Sequence, residues 1–157
     1  MLPESKWNQF GFPRTESDIK CIVIHNTGNT YQSARQLAKW FEEECRTSQG
    51  CTYLVDHEEV IQLLPDEWAV YNTGKGKDYA CQYGIAIEIC DNLNDELYQE
   101  GEDRAVELIK GLMERYNIST DDVFFHKDFN PTTYCPHILL DRYGCSQSFV
   151  YQKLREE

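Results

Sequence analysis

The chain has 157 residues, 41% of them hydrophobic and 27% charged. That is enough for one globular domain able to bury a core without staples. Its formal net charge of −12 argues against a nucleic-acid partner, which leaves a basic footprint, and against electrostatic adsorption to an anionic membrane or wall.

No apolar run is long enough to span a bilayer, so no membrane insertion is expected. Residues 1–6 lack the basic and then apolar pattern of a secretory signal. The seven cysteines, Cys21, Cys45, Cys51, Cys81, Cys90, Cys135 and Cys145, are odd in number and irregularly spaced. With no signal, free thiols in a reduced compartment are expected rather than a disulfide framework.

In chain order, residues 1–18 read as an irregular arm that packs through Trp7, Phe10 and Phe12. Residues 20–25 are a β-branched strand ending in His25. Between 31 and 47, Ala34, Leu37, Ala38, Phe41 and Cys45 keep helical spacing. Trp40 and Phe41 read as packing residues. Residues 52–56 and 59–64 are two strands around a turn at His57 and Glu58. Residues 65–80 read as a long functional loop. Residues 83–91 form a strand with Ile85, Ile87 and Ile89 on one face and Ala86, Glu88 and Cys90 on the other. A polar loop at 92–98 precedes a helix at 102–117. A strand at 123–126 ends in His126, and 146–157 is a closing helix. Interleaved strands and helices make the class α/β with one central sheet, and 1–157 a single domain.

Two strands thus end in histidines, and a loop after the second returns Cys135, nine residues on. Catalytic zinc takes three protein ligands and keeps a fourth position open. His25, His126 and Cys135 supply two imidazoles and a thiolate for such a site. The bland alternatives are hydrogen-bonded rim histidines and a small buried cysteine. Glu88 sits in an Ile-rich strand, where an unpaired carboxylate is costly. It is a buried ion-pair partner, a residue of a surface-edge strand, or a general base beside a metal-bound water.

Taken together these segments resemble the zinc-dependent N-acetylmuramoyl-L-alanine amidases. This is the type 2 amidase family that shares its fold with peptidoglycan recognition proteins, and the chain is most similar to catalytic domains of phage and prophage endolysins from Gram-positive hosts. The resemblance rests on residues 22–27, 53–56 with 60–62, 87–90, 116–118, and His126 with 134–137. It implies a mixed central sheet flanked by helices, with zinc in a surface groove held by His25, His126 and Cys135, and Glu88 as catalytic base. It implies hydrolysis of the amide between N-acetylmuramic acid and L-alanine in peptidoglycan. The protein would be made in the host cytoplasm and act on the wall after release.

The pattern departs from many members at Cys51, Thr52, Asn72 and Thr133. Where many carry Lys two residues before the ligand Cys, this chain has Thr133, so its hydroxyl, or that of Thr52, becomes a candidate oxyanion donor. Asn26, Thr52, Tyr71, Asn72 and His137 are candidate substrate contacts. The departures keep open an alternative from another class, a catalytically silent peptidoglycan-binding module.

Overall fold

The computed structural model describes residues 1–155. In chain order the elements are α1 (Trp7–Phe10), β1 (Gly11–Pro13), β2 (Cys21–Asn26), α2 (Ala34–Glu43), β3 (Tyr53–Val55), β4 (Val60–Gln62), β5 (Trp68–Val70), α3 (Tyr79–Tyr83), β6 (Gly84–Ile89), α4 (Asp95–Tyr116), β7 (Val123–Phe125), α5 (His126–Phe129), α6 (His137–Tyr143) and α7 (Ser146–Lys153). The last two residues of the expected closing helix lie outside the described residues. Among those described, no helix is long and apolar enough to cross a membrane, and all seven cysteines are free thiols.

Five strands form a mixed sheet in the order β4-β3-β6-β2-β7. Only the β3–β4 pair is antiparallel; β6 lies parallel to both β3 and β2, and β2 parallel to β7. Side chains alternate along each strand, so the two-residue period sorts them into two layers. Ile22, Ile24, Ile85, Ile87, Ile89, Val123 and Phe125 face a core shared with Tyr98, Ala105 and Ile109 of α4, Leu139 of α6 and Phe149 of α7. Leu54, Ala86 and Cys90 face the other way, onto Leu37 of α2 and Phe10 of the N-terminal arm.

The arm and the long loop differ from their sequence reading. Residues 11–13 form a strand that pairs antiparallel with β5, which lies inside the expected loop. Gly11 is required there, because a Cβ at this position would lie 1.7 Å from the Ala69 carbonyl oxygen. Strands of three residues carry too little periodicity to be seen in a sequence window, and their partners lie more than fifty residues apart.

Capping side chains set the helix starts. Ser33 accepts from the Gln36 N–H while the Gln36 side chain accepts from the Ser33 N–H, a capping box that begins α2 three residues later than apolar spacing suggests. Asn94 accepts from the N–H groups of Glu96 and Leu97. With Asp95 and Glu96 in the first turn, α4 therefore starts well before the apolar stripe and absorbs most of the expected polar loop. Helix α6 has no counterpart in the sequence reading; it is short, and only Leu139 and Leu140 are buried on it.

Glu102 of α4 is fully buried. Its carboxylate is 3.1 Å from an Arg142 guanidinium nitrogen and accepts from the Tyr143 hydroxyl. Lys153 stands 3.7 Å away, so one carboxylate ties α4 to α6 and α7. Glu102→Ala leaves the Tyr143 hydroxyl without its acceptor and removes the shared anchor, while Arg142 keeps Asp95 and Gln99. It is expected to cost about 1–3 kcal/mol. Urea unfolding of the variant against the parent measures the loss, while the metal-ligand cluster described below lies elsewhere in the fold.

Candidate active site

Strand parity delivers the site. His25 follows Val23 on β2, Glu88 follows Ala86 on β6, and His126 follows Phe124 just beyond β7. All three leave the sheet on the same face, at the carboxyl ends of parallel strands, where open α/β sheets place their ligands. His25 and Glu88 are direct neighbours in the parallel register. The loop after α5 turns back so that the Lys127 N–H donates to the Cys135 carbonyl at 2.9 Å. One ligand atom from each of His25, His126 and Cys135 then falls within 4.8 Å of the others. Cys135 Sγ is 3.8 Å from His25 Nδ1, and Glu88 Oε1 is 3.9 Å from the same nitrogen.

Hydrogen bonds set the tautomer of both rings. The Asn72 amide donates to the Val70 carbonyl at 2.8 Å, which turns its Oδ1 to His25 Nε2 at 3.1 Å. That oxygen only accepts, so Nε2 carries the proton. The Thr73 carbonyl oxygen lies 3.1 Å from His126 Nε2 and also accepts from the Asn130 amide. Each ring therefore keeps an Nδ1 lone pair free, the arrangement that oriented metal-ligating imidazoles adopt. The Thr73 carbonyl and Asn130 were not foreseen; a backbone acceptor leaves no mark on side-chain pattern.

Electrostatics favour a cation. Burial, followed by the charge on His126, pushes His25 down to about 3, and burial lowers His126 as well. Both rings are neutral at pH 7, as metal ligation requires. Burial, followed by Glu88, pushes the Cys135 thiol up to about 12. Burial and then Asp91 push Glu88 up to about 8. Glu88 Oε2 is enclosed and has no hydrogen-bond partner, although 22% of the side chain opens on the cleft. A divalent ion reverses the penalty on thiolate and carboxylate. Two imidazoles and a thiolate are a donor set that suits zinc.

The cleft above this cluster divides into two arms with Glu88, Trp40 and Phe41 in common. Trp40 and Phe41 therefore line the cleft and do not merely pack. Phe41 props Trp40 from below (ring centroids 5.2 Å apart) and rests in turn on buried Phe10 at 5.6 Å. Thr47 and Gln49 border one arm, Asn29 and Gln32 the other. None of these four stood out in the sequence, where polar residues after a helix or in a loop look merely solvated.

The remaining candidates separate. Thr133 and Asn72 line the cleft, Asn72 with its amide already engaged by His25 and Val70. Four others do not line either arm. Thr52 is fully buried, its hydroxyl accepting from the Ala86 N–H; it cannot reach a substrate oxyanion. Tyr71 packs on Phe12 with ring centroids 6.0 Å apart. Asn26 is buried and donates to the Tyr98 hydroxyl at 2.9 Å while its Oδ1 accepts from the Ile138 N–H at 3.0 Å. It latches the segment after Cys135 onto β2 and α4. His137 Nε2 pairs with Asp91 Oδ2 at 3.1 Å.

Fold and site together define an α/β domain of the bacterial amidase type. Solved structures of that type superpose on it. The catalytic domain of XlyA does so with a TM-score of 0.82 at 30% identity, covering 96% of this chain and 94% of that one. PlyL does so with a TM-score of 0.85 at 25% identity, covering 96% and 92%. Residues 15–138 match the family model described as N-acetylmuramoyl-L-alanine amidase, and the chain belongs to that family. Among curated relatives, N-acetylmuramoyl-L-alanine amidase XlyA of Bacillus subtilis is 31% identical over 142 residues, 84% of this chain and 47% of the relative. N-acetylmuramoyl-L-alanine amidase CwlL of Bacillus licheniformis is 27% identical over 136 residues, 78% and 38%. The chain thus spans about half the length, or less, of the curated relatives it matches.

Proposed function

We propose that this chain hydrolyses the amide joining N-acetylmuramic acid to L-alanine in peptidoglycan, with zinc as its cofactor, and acts on the bacterial wall after release from the cell that makes it. The observation that carries this reading is the cluster of two neutral imidazoles and one thiol beside the enclosed, unpartnered oxygen of Glu88. His25, His126 and Cys135 would hold the metal. Zinc held there supplies Lewis-acid polarisation of a carbonyl and brings the pKa of water toward about 7.

The protein's own groups do the rest. Glu88 is the base: its free oxygen accepts the proton of the attacking water as the water adds to the muramoyl carbonyl carbon. The same carboxyl group then gives that proton to the alanine nitrogen as the C–N bond breaks, so the amine leaves neutral. Thr133, on the cleft wall two residues before Cys135, offers a hydroxyl to the carbonyl oxygen as negative charge builds there. Asn72 and the Thr73 carbonyl hold the two imidazoles still. Enclosure of the cluster keeps these interactions strong by limiting competition from bulk water.

Digestion of purified cell wall tests the proposal directly. Mass analysis is expected to show stem peptides with a free alanine amino terminus and glycan strands without peptide. Cleavage within the peptide, cleavage between sugars, or binding without any release would each reject it.

A further inference from the structure

The two arms of the cleft, about 460 and 380 Å³, carry an unusual charge balance. Apart from the two imidazoles and the Cys135 thiol, Glu88 is the one ionisable side chain among the described residues lining either arm. The walls are otherwise aromatic and aliphatic (Trp40, Phe41, Leu37, Leu54) with neutral amides and hydroxyls at the rims. Basic residues do flank the cleft in sequence, but none of their side chains lines either arm. Lys127, next to His126, points its ammonium at the carbonyl oxygens of Pro131 and Thr133, at 3.1 and 3.4 Å. Arg46, next to Thr47, donates to the carbonyls of Glu43 and Cys45. Lys75, beside Gly74, is exposed and lines neither arm.

We propose that this cleft selects substrates whose stem peptide is amidated, over the same stem bearing a free carboxylate. The proposal rests on the amidase reading and adds the chemistry of the group beyond alanine. A carboxylate entering either arm gives up water without meeting a cationic side chain among the lining residues. The charge of a bound zinc is already balanced by the Cys135 thiolate and Glu88, so the exchange is unfavourable. The carboxylate also approaches Glu88 on a chain of net charge −12. A carboxamide carries no charge and both donates and accepts, which suits the Thr47 hydroxyl and the amide N–H groups of Gln32 and Gln49, whose oxygens already accept from Asn29 and Gly74. Selectivity here is made chiefly by rejecting the charged alternative.

The test compares N-acetylmuramoyl-L-alanyl-D-isoglutamine with N-acetylmuramoyl-L-alanyl-D-glutamate, which differ by one carboxylate. With the zinc-loaded parent, kcat/KM is expected to favour the amide by about fivefold or more at low ionic strength, the size of one partly screened charge interaction. The ratio should shrink as salt is added. Gln32→Lys in one arm and Thr47→Lys in the other each place a cation where none lines the cleft. At least one of them is expected to narrow the ratio by improving use of the acid form, and the one that does so marks the arm that holds the peptide. Equal or reversed preference in the parent, or a ratio that neither lysine variant moves, overturns the proposal. If neither compound is hydrolysed, the amidase reading fails by itself. Calorimetric titration of the parent with the same pair then measures the selectivity as a ratio of Kd values. Tighter binding of the amide supports the proposal, and equal or tighter binding of the acid overturns it.

Discussion

The Glu88→Gln protein is expected to fold, bind zinc and release peptide about 10²–10⁴-fold more slowly than the parent, the usual contribution of a general acid–base group. Glutamine keeps the shape of the side chain and its place beside His25 in the parallel register. It cannot accept the water proton. The loss belongs to the transition state, so kcat should fall while KM changes little. Stability should be equal or higher, because the amide carries no charge into the enclosed position where Glu88 Oε2 has no partner. Steady-state kinetics and thermal melts of one preparation check both parts. A variant that cleaves at the parental rate removes Glu88 from the mechanism; one that melts early and loses activity in proportion makes it a structural residue.

Cys135→Ala is the second large effect. Removing the thiolate takes away one of three donors within 4.8 Å of one another and is expected to abolish stoichiometric zinc and with it the hydrolysis. Zinc stabilises the parent in proportion to the logarithm of its excess over Kd, by about 2.7 kcal/mol at a hundredfold excess. Chelator should therefore lower the melting temperature of the parent and leave that of Cys135→Ala unmoved. Asn72→Ala is the graded control. It removes the acceptor that orients His25 and should weaken zinc by roughly 10–100-fold, the typical effect of losing an outer hydrogen-bond partner of a ligand. Elemental analysis of protein purified without chelator reads all three. Full zinc retained by Cys135→Ala would place the metal on other residues.

How much was readable in the sequence differs from residue to residue, for physical reasons. Two-residue alternation along residues 21–26 and 84–89 is a local property, so it is enough to put the isoleucines on one face and Glu88 on the other. Apolar runs ending in histidine and a cysteine nine residues beyond the second were likewise visible as chemistry in search of a common place. Whether they met was decided by the parallel pairing of β6 and β7 on either side of β2, a long-range arrangement that no window contains. The same holds for β1 and β5, too short to show a period, and for Asn26, whose side-chain partners lie 72 and 112 residues away. Thr52 drew attention as a hydroxyl at a position where the resembled family differs, and Tyr71 as an aromatic in a long loop. The structure places the first against the Ala86 N–H and the second on Phe12, contacts that no local pattern shows. Trp40 and Phe41 moved the other way, since helical spacing reports which side of α2 is apolar and is silent on whether that side meets a core or an open cleft. Only the tertiary structure separates those two cases, because an aromatic ring loses water in both.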